Sequence, residues 1–166
     1  MPDSRGEIAK VAAHSVERDC LIRAMYFEAN RSSREGLLAV GTVVMNRVDS
    51  PQFPITICGV VGQRHQFAPG VLTRALNKKE LPLVERTADA VLKGERYAPV
   101  GTAMHFHVAG LDIPYQVRYV AVAGGNAFYL KTDGRHRDLY AARAIETTKV
   151  NLTQETSTAR EAPLAR

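Results

Sequence analysis

The sequence predicts an α+β domain, mainly helical, organised round one buried helix with a small antiparallel β-sheet. Three observations predict it. Leu37 to Val48 is apolar on every face, the pattern of a helix enclosed by others. Leu21, Ala24, Met25 and Glu28 fall at i, i+3, i+4 and i+7, one face at helical period. Beyond Thr102 the periodicity drops to two, and Gly124-Gly125 separates two strand-like runs. At 166 residues the chain is one domain's worth, without internal repeats, and can bury about two thirds of its unfolded surface.

The elements follow in order. Residues 1–19 are polar and charged and are expected to form an N-terminal segment. They hold no apolar run of the signal-peptide kind, and no stretch of the chain is long and apolar enough to span a membrane. The first helix carries the stripe that ends in Glu28. Low dielectric disfavours an ionised carboxylate, so this position predicts a raised pKa, as a general acid near neutral pH requires. The same spacing also fits an acid that turns out to water or pairs with Arg23 or Arg31. Ser32 and Glu35 are spaced as a capping box for the second helix, and Asp49-Ser50-Pro51 ends it. Gly41 inside that helix suggests the close approach of another backbone.

Ile55 to Val61 reads as a short helical turn, and Gly62 to Gly70 as a loop holding His65, Gln66 and Phe67. Pro82 suits the first turn of a further helix and Gly94 its end, with Val84, Ala88 and Val91 as a structural stripe. In Thr102–Val108, Ala103, His105 and His107 share one face, and Met104, Phe106 and Val108 the other. His-x-His on one face fits a metal pair or two polar residues facing a cleft. No third ligand stands at a telling distance, so no metal and no cofactor are expected. Val117–Val122 and Ala127–Lys131 are the hairpin strands. Asp138 to Val150 suggests one more helix, and residues 151–166 a frayed end.

The two cysteines, Cys20 and Cys58, fit either buried small hydrophobes or, outside the cytoplasm, a disulfide; their spacing is not that of a zinc site. The formal net charge of +5 suits an anionic partner: nucleic acid, a membrane surface or an acidic wall polymer. No Lys/Arg run is interleaved with aromatics, so no nucleic-acid partner is expected.

Several blocks carry a family resemblance. Tyr26-Phe27-Glu28-Ala29, Glu35-Gly36, Ala39-Val40, Asn46-Arg47-Val48, Phe53-Pro54, Cys58-Gly59-Val60-Val61, Gln66-Phe67, Phe106-His107 and Phe128-Tyr129 stand in the order found in SleB-like cell wall hydrolases. The resemblance covers roughly residues 20–131, taken as the cell wall hydrolase domain, with 132–166 as a polar extension. It implies a lysozyme-like fold that cleaves peptidoglycan glycan strands, with Glu28 as catalytic acid. It also implies substrate-binding roles for Gln66, Phe67, His107 and Tyr129. The chain departs from the pattern at Asn30-Arg31-Ser32, where the family has Arg-Gly-Glu, at Asn126, where it has a histidine, and in having no tryptophan.

The expected activity is cleavage of the β-1,4 bond between N-acetylmuramic acid and N-acetylglucosamine by a monomer acting outside the cytoplasm. A partner acid is not evident: Asp49, Glu80, Asp89 and Asp112 are candidates without distinction. A single acid suffices when the substrate's own 6-hydroxyl attacks, which favours a lytic transglycosylase over a muramidase. Two other readings stand beside it: a glycan-binding protein with a degenerate cleft, and a metal hydrolase using His105 and His107. With no visible leader, delivery to the wall calls for a trimmed signal or another route.

Overall fold

The structure, a computed structural model, describes residues 4–132. Residues 4–130 belong to one compact unit. The expected helix at 138–150 and the end at 151–166 lie outside the described residues.

Among the described residues four α-helices and a three-stranded sheet make up the α+β fold: α1 (Ser4–Glu28), α2 (Arg34–Val48), α3 (Ile57–Val61), α4 (Leu81–Leu92), β1 (His105–Val108), β2 (Val117–Ala123) and β3 (Asn126–Lys131). The helix α2 is the centre, touching α1, α3 and α4. Its Leu37, Val40, Val43 and Val44 are inaccessible to solvent, as are Leu21, Ala24 and Met25 on the facing stripe of α1. Each such large side chain contributes about 1.5–3 kcal/mol through burial.

The helix α1 begins well before the expected boundary at residue 19. Residues 6–16 are exposed, and the body of the domain takes hold at Glu17. The Glu17 carboxylate accepts hydrogen bonds from the amides of Ile57 (2.6 Å) and Cys58 (3.2 Å), at the start of α3. Arg18 pairs with Asp89 of α4 at 2.6 Å. Cys20 and Cys58 form a disulfide with Cα atoms 5.2 Å apart, joining α1 to α3.

Two local expectations are corrected. The cap of α2 is Ser33, whose Oγ accepts from the Gly36 amide at 3.1 Å. Ser32 is occupied elsewhere, donating its hydroxyl and amide to Asn30 Oδ1 at 2.7 and 3.0 Å. Gly41 faces a side chain instead of a backbone: a Cβ there would stand 2.8 Å from Val91 Cγ2. The close backbone approach is at Gly36, where a Cβ would collide with the Gly124 backbone.

That approach sets the sheet against the helices. Gly124 and Gly125, both at positive φ (56° and 85°), make the tight turn between β2 and β3. The strand order is β1-β3-β2, and β1 pairs antiparallel with β3 in the register His105–Tyr129, Phe106–Phe128. The Phe106 and Phe128 rings meet at 5.5 Å between centroids on the core side. His105, His107 and Tyr129 take the other face.

Candidate active site

Glu28 is the last residue of α1, and the sheet holds that end in place. Asn126, buried at the start of β3, donates from Nδ2 to the Glu28 carbonyl at 2.6 Å. The Asn30 amide donates to the Gly124 carbonyl at 3.2 Å. The residue that replaces the family's histidine thus anchors the backbone of the candidate acid.

The Glu28 carboxyl group is half-buried. Its Oε1 accepts from the Ala68 amide at 2.5 Å, so the loop after α3 closes over it. Neither expected arginine partner takes it: Arg23 pairs with Asp19, and Arg31 with Glu80. Burial raises the Glu28 pKa; the Ala68 hydrogen bond and the Arg47 charge oppose this without cancelling it.

Arg47 was not singled out as a site residue, yet it is the cation of the site. It is 3 % exposed, near the end of a helix otherwise packed with apolar side chains. Nε donates to the Met104 carbonyl at 2.8 Å, and the guanidinium lies 5.2 Å from the Phe53 ring centroid and 5.3 Å from that of Phe67. Its Nη1 is buried without a hydrogen-bond partner among the described residues. Burial lowers its pKa, while the charges of Tyr129 and Glu28 raise it. A signal was present in the sequence: an arginine in a helix apolar all round must find partners inside the protein.

The face of the sheet carries an aromatic cluster. His105 stacks on Tyr129 with centroids 5.5 Å apart. His107 lies 5.5 Å from Tyr119 and 5.6 Å from Tyr129. His107 Nδ1 donates to the Val108 carbonyl at 2.7 Å, which leaves Nε2 to accept from the Tyr119 hydroxyl at 2.8 Å. Tyr129 is only 6 % exposed, and its hydroxyl meets that of Tyr115 at 3.4 Å. Burial, with the Tyr115 hydrogen bond, pushes its pKa up to about 12. Tyr115 and Tyr119, half-exposed, were missed by the sequence reading; β2 places Tyr119 here through its pairing with β3.

The expected binding residues therefore divide. His107 and Tyr129 belong to the cluster, with Tyr129 packed beneath exposed tyrosines. Phe67 is 9 % exposed and serves as a floor under Arg47. Gln66, one residue away, is exposed. Among the described residues no group of three His, Cys, Asp or Glu side chains stands together as a metal site.

The assembled site is a half-buried acid, a loop amide and a buried cation with an aromatic face nearby. Its acid holds a proton more tightly than a free glutamate, and the amide and cation stand ready for the carboxylate left when that proton is given up. The fold has known counterparts. The catalytic domain of the Bacillus cereus SleB protein superposes with a TM-score of 0.59 at 21% identity, covering 70% of this chain and 91% of that one. The catalytic domain of the germination-specific lytic transglycosylase SleB from Bacillus anthracis gives 0.56 at 22% identity, covering 69% and 94%. No curated protein matches the chain. The Cell Wall Hydrolase pattern matches residues 31–129, most of the folded domain, beginning three residues after Glu28. On that match the chain belongs to the SleB-like family of cell wall hydrolases.

Proposed function

We propose that the protein cleaves peptidoglycan glycan strands at the β-1,4 bond between N-acetylmuramic acid and N-acetylglucosamine, with Glu28 as the acid. The observation that carries this reading is the Glu28 environment: half-buried, raised in pKa, hydrogen-bonded by Ala68 and flanked by Arg47. Protonated Glu28 gives its proton to the leaving glycosidic oxygen. The resulting carboxylate is met by the Ala68 amide and the Arg47 charge, both already in place before the reaction. It then takes a proton from the attacking nucleophile.

The nucleophile is the substrate's own 6-hydroxyl, and the product a 1,6-anhydro end. Two-carboxylate glycosidases place the second acid about 5 Å away if retaining and about 6.5–9.5 Å if inverting. A second carboxylate that close would raise the Glu28 pKa by repulsion; among the described residues the charge acting on Glu28 is the cation of Arg47, which lowers it. Of the four candidate partners, Glu80 is bound by Tyr26 and Arg31, Asp89 by Arg18, and Asp49 and Asp112 are exposed. A single-acid transglycosylase fits this arrangement better than a muramidase. The aromatic face of His107, Tyr119 and Tyr115 supplies surfaces for sugar rings. The Cys20–Cys58 disulfide supports action in an oxidising compartment, in keeping with a wall substrate.

The test is mass spectrometry of products from purified peptidoglycan. Anhydro ends are expected from the parent protein. Glu28→Gln keeps the shape and loses the proton, so cleavage should fall by at least 10²–10⁴-fold, roughly the worth of general acid–base catalysis. Hydrated ends would make it a muramidase. Equal cleavage by both proteins would remove Glu28 from the mechanism. If neither cuts and both bind, the glycan-binding reading stands instead.

A further inference from the structure

We propose that the open basin beginning two residues beyond Glu28 is an anion-binding subsite for a carboxylate or phosphate group carried by the wall polymer. This rests on the wall-polymer reading above. The basin measures about 550 Å³, and its polar lining is Asn30, Arg31, Ser32, Lys79, Glu80 and Arg86. Three cations therefore face one acid, and they come from three separate elements: the turn after α1, the 3-10 turn Lys78–Glu80, and α4.

The one acid is already committed. Glu80 Oε2 accepts from the Tyr26 hydroxyl at 2.6 Å and pairs with Arg31 Nε at 3.2 Å. Its pKa is lowered, first by the Tyr26 hydrogen bond, so it stays charged and compensates Arg31. Arg31 is itself pinned, with its guanidinium 4.7 Å over the Tyr26 ring and Nη1 donating to the Tyr26 carbonyl at 3.3 Å. Lys79 and Arg86 remain, exposed, and among the described residues their side chains make no ion pair or hydrogen bond. A lone surface lysine is normally just solvated. Here two uncompensated cations share one concavity beside a fixed guanidinium and two polar side chains, Asn30 and Ser32. Guanidinium and ammonium groups together recognise compact oxyanions, which accept several charge-assisted hydrogen bonds at once.

Position gives the subsite its purpose. Three residues of chain, at most about 11 Å, separate the Glu28 and Arg31 Cα atoms. An anion carried near the scissile bond is therefore within reach. Peptide stems supply carboxylates and secondary wall polymers supply phosphates; the chemistry read by the basin is the oxyanion common to both.

The test is sedimentation binding to insoluble wall in the Glu28→Gln background, where the wall stays intact. Adding Lys79→Glu and Arg86→Glu should weaken binding about tenfold at low salt, as for reversal of two exposed charges. The difference should vanish near 1 M salt, where the screening length is about 3 Å. Lys10→Glu with Lys93→Glu, the same change in net charge placed elsewhere, should keep most of the affinity. Amidating the stem carboxylates with a carbodiimide and an amine, or removing phosphates with hydrofluoric acid, should bring the Glu28→Gln protein down to the reversed variant, and the treatment that does so names the anion. The subsite is refuted if the reversed variant binds as well as its background, if the control loses as much, or if neither treatment, alone or combined, narrows the gap. Product analysis keeps the two claims apart. A parent that cuts glycan while the reversal leaves binding unchanged sinks the subsite alone; a parent that cuts nothing sinks the functional reading.

Discussion

Gly36→Ala sets a local rule against a tertiary contact. In a helix, alanine is favoured over glycine by up to about 1 kcal/mol, so propensity alone predicts a more stable protein. The structure predicts the opposite. A Cβ at Gly36 would overlap the Gly124 backbone and stand 3.2 Å from Ser33 Oγ. Backbone cannot swing aside as a side chain can, so the β2–β3 turn must move. Overpacking of this kind costs about 1–3 kcal/mol. Movement of the turn also endangers the Asn30–Gly124 hydrogen bond, worth about 0.5–1.5 kcal/mol net. Subtracting the propensity gain leaves a destabilisation of about 1–3 kcal/mol. Urea unfolding measures it: the midpoint should fall while the slope holds. Gly41→Ala is the companion, because its new Cβ meets the Val91 side chain, which can shift; its loss should be smaller. If Gly36→Ala is as stable as the parent or more so, the turn is not packed as described and the argument fails. Glycan cleavage should fall along with stability, because the same hairpin carries Asn126 to the Glu28 carbonyl.

Three more outcomes follow from the Glu28 acid and the disulfide. The Glu28 pKa is raised by burial, so activity that needs the protonated acid should persist above the ordinary glutamate value and fall as pH passes the raised one, read from the pH profile of cleavage. The folded state holds this proton more tightly than the unfolded, so the associated stability is full below the ordinary carboxylate value and is lost as pH rises through the raised value; Glu28→Gln should abolish that decline in urea titrations across pH. Reducing Cys20–Cys58, which spans 38 positions, should lower stability by about 4 kcal/mol on the chain-entropy account; no change in the unfolding midpoint on reduction would refute the bond.

Much of the fold could be read from the chain because its elements carry local signals. The α2 core, Pro82 in the first turn of α4 with Gly94 just past its end, and the Gly124-Gly125 turn each follow from residues within a few positions of one another. Glu28 was legible for the same reason, as an acid closing an apolar stripe. What escaped was decided across the chain. Ser32 and Ser33 are both fit to cap α2, and Asn30 takes the first. Gly36 and Gly41 look alike in a helical pattern, but only the former meets a backbone, 88 positions away in sequence by the numbering of Gly124. Tyr119 joins the site through strand pairing, and Arg47 through contacts with Met104, Phe53 and Phe67. The N-terminal half of α1 was not foreseen, because Ile8, Val11 and Val16 are exposed and bury no stripe.

The disulfide also has a topological meaning. Cys20 and Cys58 close a covalent ring, and that ring contains both Glu28 and Arg47. Ala68 and the whole sheet lie outside it. The acid and the cation thus belong to one cyclic piece of chain, while the amide and the aromatic face are contributed by its linear tail. When the sheet opens locally, the ends of α1 and α2 stay tethered within the ring. The oxidised enzyme is in this sense a loop that carries the acid and the cation, and a tail that carries the Ala68 amide and the aromatic face.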